Sequence, residues 1–333
     1  MLLKNRGNMS HFNQTLVLAD NVTYTAWPCH YGFGPGVVLS STSLVVGLLG
    51  SIGNLLVCFT VLRSYELRNT PHYLLFNLAM ADLMVSLSLP LFSAWMVGLI
   101  HGRCYGMLSH VRGFVLNTSV LASVSTLVII SIERMAAVML PLRHLTILTA
   151  RRLGIMVTIS WLLSSIYGAL IASDVQNQSY EHYFIFTVAS LGGLCLQFAL
   201  IIACYTAIFV KLLVQSRKRV HLQTIQSLRY RTFLLEARVA KTTAIVVGAF
   251  VFCWAPFICL RLVAHAALVT VMSPWTELLA QANSSLNPVI YFYRFAEYRR
   301  AYIRVFRRAQ CCRHVAVKET TATHARSGTS RRL

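Results

Sequence analysis

The chain holds only ten aspartates and glutamates, few enough for each to be placed. Six lie in polar segments: Asp20, Asp174 and Glu181 toward one side, and Glu66, Glu297 and Glu319 toward the other. The remaining four, Asp82, Glu133, Glu236 and Glu277, sit within or at the ends of long apolar stretches, where an ionisable side chain is costly and marks a functional candidate. Asp82 lies in the middle of "NLAMADLMVSLSLP". A lone carboxylate there needs a proton or a partner. Asn54, Ser123, Asn283 and Asn287 are polar residues at similar depth. With Asp82 they form a candidate site for a sodium ion or a water cluster. A protonated aspartate in a hydrogen-bonded core accounts for the same residues equally well.

Glu133 and Arg134 close the oily run "LVIISIERM" as an adjacent acid and base. Three more charges fall near the opposite ends of their runs: Arg112, Arg261 and Glu277. Arg261 is seven residues beyond Trp254, so it shares that helical face about two turns on. Arginine forks grip carboxylate or phosphate, so these residues point to a pocket for an anionic or zwitterionic ligand. His265, Trp95 and Tyr183 are candidates for its rim. The plainer alternative is an Arg–Glu pair that ties the sixth and seventh spans together, or arginines that snorkel to the interface. No metal-ligand cluster, nucleophile elbow or phosphate loop is visible, so the residues offer no catalytic site and the chain is not read as an enzyme.

The elements that must position these residues are membrane helices. Hydrophobic residues make up 56% of the chain and charged ones 12%, about half the usual charged fraction. Seven apolar runs are long enough to span a bilayer, at about 37–62, 73–99, 107–132, 153–173, 184–213, 239–266 and 271–293. In lipid each must be a helix, because its backbone has no water to bond. The fold class expected is an all-α membrane protein, a seven-transmembrane helix bundle. After it, "RFAEYRRAYIRVFRR" sets Phe295, Tyr298, Tyr302 and Phe306 near one face and arginines on the others, the pattern of a short amphipathic cytoplasmic helix on the inner leaflet.

The net charge of +20 would suggest nucleic acid in a soluble protein. Its placement says otherwise. With the N-terminus outside, 25 of the 30 lysines and arginines fall on the cytoplasmic side, as the positive-inside rule requires. The basic face then meets anionic lipid, and nucleic acid is not an expected partner. Asn8, Asn13, Asn21 and Asn177 open glycosylation sequons on the outer side; those at Asn117 and Asn283 lie inside apolar runs and are chance matches. "MLLKNRGNMSHFNQT" has no apolar signal core, so the first span is expected to act as the membrane anchor signal. Cys58, Cys195, Cys204, Cys253 and Cys259 read as small buried residues in helices. Cys29 and Cys104 are the two cysteines on the oxidising face and are the candidates for a bridge. Cys311 and Cys312 follow a basic stretch and suit palmitoylation. The organisation is therefore an extracellular glycosylated tail (1–36), a seven-span domain (37–293), an amphipathic helix with its palmitoylation site (294–312) and a disordered, phosphorylatable tail (313–333).

"GSIGN" with Asn54, "LAMAD" with Asp82, Trp161, "IERM", "CWAP" and "NPVIY" occur in that order along the runs. Together they resemble the rhodopsin-like, class A, G-protein-coupled receptors over roughly residues 37 to 312. The resemblance implies a receptor in the cell (plasma) membrane that signals to a heterotrimeric G protein, with arrestin and receptor kinases acting on the C-terminal tail. It implies that Arg134 pairs at rest with Glu133 and with Glu236 of the sixth span. On activation Arg134 is released, the sixth span swings outward, and a G-protein helix enters the gap. Tyr205 and Tyr291 would support the open form. Pro256 would kink the sixth span, Trp254 and Phe250 would repack, and Asn287 and Pro288 belong to the NPVIY switch.

Several positions depart from the family. The loop "SDVQNQSYEHY" lacks the usual bridging cysteine, and Met135 replaces the common tyrosine. Gln197 stands where the fifth span usually has proline, which allows a high basal activity. Leu116 occupies the place of the aspartate of monoamine receptors, and Gln281 that of the retinal lysine of opsins. Neither amine nor light is then the expected signal. A membrane transporter is the alternative, disfavoured because no internal repeat is visible. A receptor-fold scaffold without signalling is another, and Arg134, Asp82 and NPVIY argue against it.

Overall fold

The computed structural model describes residues 15–16, 24–25, 31–67, 70–103, 106–140, 143–177, 180–219, 227–263, 266–294, 296 and 298–304. Asn8, Asn13, Asn21, Cys29, Cys104, His265, Phe295, Phe306, Cys311 and Cys312 lie outside the described residues. So do the side chains of Asn177, Tyr183 and Glu236, whose backbones are helical.

Eight helices order this part of the chain: α1 Phe33–Arg63, α2 Thr70–Ile100, α3 Gly106–Met139, α4 His144–Ile147, α5 Ala150–Asn177, α6 Tyr180–Arg219, α7 Ser227–Val263 and α8 Ala266–Arg294. All but the one-turn α4 have the length of a membrane span, and they correspond to the seven expected runs. Each is longer than its run. At about 1.5 Å per residue, the 31 residues of α1 reach about 46 Å, well past the roughly 30 Å of hydrocarbon. The polar stretch around 214–236 is largely helical, as it lengthens α6 to Arg219 and starts α7 at Ser227. Pro71 falls in the first turn of α2, where its missing N–H costs nothing. Two two-residue strands, Thr15–Leu16 and Tyr24–Thr25, pair antiparallel ahead of the bundle.

Six of the long helices are apolar enough to cross a membrane by length and composition; α8 is not. The difference has a local cause. Between Glu277 and Asn287, α8 also carries Gln281, Asn283, Ser284 and Ser285, and Gln281, Asn283 and Asn287 are essentially inaccessible. These polar groups face protein, because α8 packs against α1, α2 and α7. Lipid-facing apolar surface dominates α5 instead, where Ile159, Leu162, Leu163 and Ile166 are exposed.

α3 is the central post, in contact with α2, α5, α6 and α7. Its approach to α5 requires a glycine: a Cβ on Gly168 would lie 2.2 Å from Thr118 Oγ1 and 3.0 Å from the Phe114 carbonyl. α1 meets α2 through small residues too, with Ser40 and Ser93 sharing a 2.5 Å hydroxyl contact. Residues 298–304 form the expected helix after α8. Part of its apolar face is seated on the bundle, since Tyr298 and Ala301 are buried and Tyr298 stacks on His72 of α2. Arg299, Arg300 and Arg304 are exposed. One sequence expectation fails here: Cys195 and Cys259 are exposed on their helices, and only Cys58, Cys204 and Cys253 are buried.

Candidate functional site

The expected site residues form a column through the bundle. At one end, toward the C-terminus of α3, Glu133 and Arg134 are both buried. The Arg134 guanidinium donates from Nε and from Nη2, the latter at 2.6 Å, to the two oxygens of Glu133. This two-point fork gives the pair direction as well as charge balance. Met135, left without a reason by the sequence, packs with Val138, Ile208, Tyr205 and Leu212 in the seam between α3 and α6. An apolar side chain there continues the contact around Tyr205.

Two turns or more along α3 from this pair, Asn77, Thr126 and Trp161 link three helices. Asn77 Nδ2 donates to Thr126 Oγ1 at 2.7 Å, and the Trp161 indole N–H donates to Asn77 Oδ1 at 2.9 Å. The sequence reading named Trp161 but not Asn77 or Thr126. A carboxamide in the interior of an apolar run was the available signal.

Asp82 lies near the middle of the column, fully inaccessible. Ser123 Oγ donates to its Oδ1 at 3.0 Å and Asn287 Nδ2 to its Oδ2 at 2.6 Å. Ser284 is a third side-chain donor, one absent from the sequence-derived set. Asn54, which was in that set, turns instead to backbone: its Nδ2 donates to the carbonyls of Gly50 at 3.0 Å and Ser284 at 3.1 Å. The Oδ1 atoms of Asn54, Asn283 and Asn287 are buried without a hydrogen-bond partner. A carboxylate, two hydroxyls and three unsatisfied carboxamide oxygens are hard donors of the kind a small cation takes. A cavity of about 10 Å³, lined in part by Ser123, Ser284 and Trp254, adjoins them. That is about the room of one water.

Phe250 and Trp254, expected from the resemblance to repack, also line that cavity. Phe250 stacks on Trp254 at 5.5 Å and meets Phe198 of α6 at 5.3 Å, and Trp254 meets Phe257 edge-on at 5.8 Å. Such pairs resist sliding because ring faces and edges carry opposite partial charge. Pro256 lies inside α7 and Pro288 inside α8, each removing one ladder hydrogen bond. Tyr291 is buried in the same core that holds Phe250 and Trp254. Gln197 leaves α6 without an internal proline, and its Oε1 is buried and unpartnered.

The opposite end, toward the N-terminus of α3, holds Arg112, Leu116, Arg261, Glu277 and Gln281. Arg112 of α3 makes an ion pair with Glu277 of α8. It therefore ties the third span to the seventh, not the sixth to the seventh as the plainer sequence alternative had it. Gln281 Nε2 donates to the same carboxylate at 3.0 Å, and Ser88 Oγ reaches Gln281 Oε1 at 3.4 Å. The Arg112 guanidinium also lies 5.0 Å from the Phe92 ring centre and 4.9 Å from that of Trp95. Trp95, expected at the rim, thus stands beside Arg112. Leu116 packs against the main apolar core. Arg261 lies over Phe257 of its own helix at 5.2 Å.

Comparison with known proteins agrees with this arrangement. Residues 53–291 match the family described as the 7 transmembrane receptor (rhodopsin family). The chain is 27% identical to adenosine receptor A2b of Gallus gallus, over 80% of this chain and 88% of that one. It is 28% identical to adenosine receptor A2a of Homo sapiens, over 81% and 72% respectively. It is 29% identical to the alpha-1A adrenergic receptor of Oryzias latipes, over 85% and 71%. A membrane bundle with a buried Glu–Arg pair at one end, a polar centre around Asp82 and a match over most of its length belongs to the rhodopsin family of seven-transmembrane, G-protein-coupled receptors.

Proposed function

We propose that this receptor lies in the plasma membrane with its N-terminus outside, and that a ligand entering between α3, α7 and α8 releases Arg134 and swings α7 outward. The observation that carries this reading is the buried fork between Arg134 and Glu133 at the cytoplasmic end. It is an acid–base pair whose release would expose a cationic surface to a G-protein helix. Glu236 stands on α7 at the distance of a second partner: it is 20 residues before Pro256, or about 30 Å of helix. The basic bias of the inner segments supports the orientation. Asn8, Asn13, Asn21 and Asn177 are then glycosylated, Cys29 and Cys104 are the outer pair open to a bridge, and Cys311 and Cys312 carry palmitate that holds the terminal helix to inner-leaflet lipid. Arrestin and receptor kinases act on the tail beyond it.

The oxygen set around Asp82 fits a sodium ion. Asp82 and Ser123 would hold it, with Ser284 and the carboxamide oxygens of Asn283 and Asn287 completing the shell. The cation would supply a positive charge that stabilises the ionised carboxylate and the packing around it. The expectation of a purely anionic ligand weakens, because the fork of Arg112 faces the receptor's own Glu277. The relatives' names span adenosine receptors, an adrenergic receptor and a melanopsin, so they support the receptor reading and leave the ligand to local chemistry. The test is activation of a panel of heterotrimeric G proteins by the full chain, with Arg134→Ala as its comparison. Signal in at least one family, lost in Arg134→Ala at equal surface level, is expected. Equal coupling by both chains would overturn the reading.

A further inference from the structure

The outer ion pair is better fitted to its cation than to its anion. Glu277 meets one guanidinium nitrogen of Arg112. Two aromatic rings, Phe92 and Trp95, stand about 5 Å from the centre of that guanidinium. A carboxylate and two ring faces on one cation make an aromatic cage, the arrangement that recognises organic cations. The carboxylate is oriented from behind, since Gln281 donates to it and is in turn engaged by Ser88. The rings come from α2, the carboxylate from α8 and the cation from α3, so the cage and its occupant belong to different helices. Arg112 Nε is buried without a hydrogen-bond partner. The guanidinium is therefore held through one donor to Glu277 and through its faces, with Nε left over, as expected of a group seated in a cage that it does not itself complete.

We infer that Phe92, Trp95 and Glu277 form a guanidinium-binding site, and that Arg112 fills it as a ligand tethered to α3. Its occupancy sets the spacing between α3 and α8, and with it the ligand-free activity of the receptor. An external ligand for this site is a guanidinium-bearing molecule, either a small guanidine or an arginine at the end of a peptide. Such a ligand competes with a tethered group whose effective concentration is in the millimolar range or above. External guanidinium therefore acts weakly on the unaltered receptor and strongly once Arg112 is shortened. For its signalling consequence this assignment rests on the receptor reading above. Its binding consequence does not, so a receptor that couples to no G protein would still bind the probe.

The experiment uses the full chain with Arg112→Ala, produced with and without methylguanidinium at up to roughly 10 mM, the order of that effective concentration. An arginine peptide amide, acetate and urea serve as parallel probes. Three readouts apply: surface level, thermal melting in detergent, and ligand-free signal. Methylguanidinium is expected to raise the surface level and melting temperature of Arg112→Ala and return its basal signal toward that of the unaltered chain. Acetate and urea are expected to do neither. The effect should vanish in Arg112→Ala/Glu277→Gln and weaken on the order of tenfold in Arg112→Ala/Trp95→Leu, the loss of one desolvated ring contact. A variant that fails to fold remains informative, because recovery of surface level by the probe is then the signal. Activity of the peptide amide without methylguanidinium would assign the site to a peptide arginine rather than a free guanidine. No rescue by either guanidinium, or equal rescue when Glu277 is neutralised, would overturn the inference. Rescue of Glu277→Ala by acetate without rescue of Arg112→Ala by guanidinium would do so as well, by showing an anion site.

Discussion

Replacing Glu133 with glutamine tests the proposed latch, the Glu133–Arg134 fork that would hold the resting state, at its most defined contact. The two side chains are each about nine-tenths buried, at 8% and 8% exposure. Arg134 donates to both oxygens of the carboxylate. Glutamine keeps the shape and one acceptor oxygen but removes the charge and one acceptor. A hydrogen bond to a charged group contributes about 1.5–3 kcal/mol, and breaking a buried pair outright costs about 3–5 kcal/mol. Because one bond survives, the loss belongs near the lower figure, about 2 kcal/mol. If the fork forms only in the resting packing, that loss moves the resting–active ratio about 30-fold. A receptor with roughly 1% of molecules active would rise to about a quarter active. The assay is ligand-free G-protein activation in cells, at surface levels matched by antibody. Glu133→Asp serves as the comparison, because it shortens the side chain and keeps the charge. A rise in Glu133→Gln well above that in Glu133→Asp is expected. The reasoning fails if Glu133→Gln leaves basal activity unchanged while its melting temperature falls, since the pair would then stabilise both packings alike.

Two further perturbations probe the centre and the frame. Asp82→Asn is expected to abolish any difference in melting temperature and basal signal between sodium and N-methylglucamine buffers, because the one carboxylate among the buried oxygen donors is gone; a sodium effect that persists would place the ion elsewhere. Gly168→Ala puts a Cβ 2.2 Å from Thr118 Oγ1 and is expected to destabilise by about 1–3 kcal/mol through overpacking. Adding Thr118→Ala should recover part of that loss in a detergent melting curve, whereas no recovery would move the clash to the Phe114 carbonyl.

How far the sequence could be read followed the physics of each feature. Seven helices announced themselves because lipid tolerates little but apolar residues; their limits erred where polar ends such as 214–236 continue the helix past the oily run, and where the sixth run, read to 266, crosses from α7 into α8. The Glu133–Arg134 pairing was legible because two adjacent opposite charges at the end of such a run are each other's nearest partners. The partners of Asp82 were only half legible. Polar residues at one depth were countable, but their rotation about each helix was not. Ser284 was therefore missed beside Asn283, and Asn54 turned out to bond backbone. Arg112 and Glu277 were both named, yet their pairing across α3 and α8 needed three-dimensional placement. The role of Phe92 had no signal at all, since a phenylalanine in an apolar run reads as core.

Among the described residues, α8 is the long helix that lacks a strongly apolar stretch, and it carries many of the candidate site residues; the reason is the same in both directions. α8 supplies Glu277 to the outer cage, Ser284 and Asn287 to the Asp82 centre, and Pro288 and Tyr291 to the inner core. A helix with that many polar groups cannot face lipid, so it must be enclosed by α1, α2 and α7. Enclosure in turn makes each polar group depend on a neighbour: Glu277 on α3, Asn287 on α2, and the α8 backbone at Ser284 on α1. A shift of α8 by even a fraction of a turn would disturb all three at once. Packed interiors deform between discrete arrangements rather than continuously. Coupling between the outer cage and the inner latch therefore needs no separate relay: the polar face of α8 touches the cage and the centre directly, and α3 joins both to Arg134.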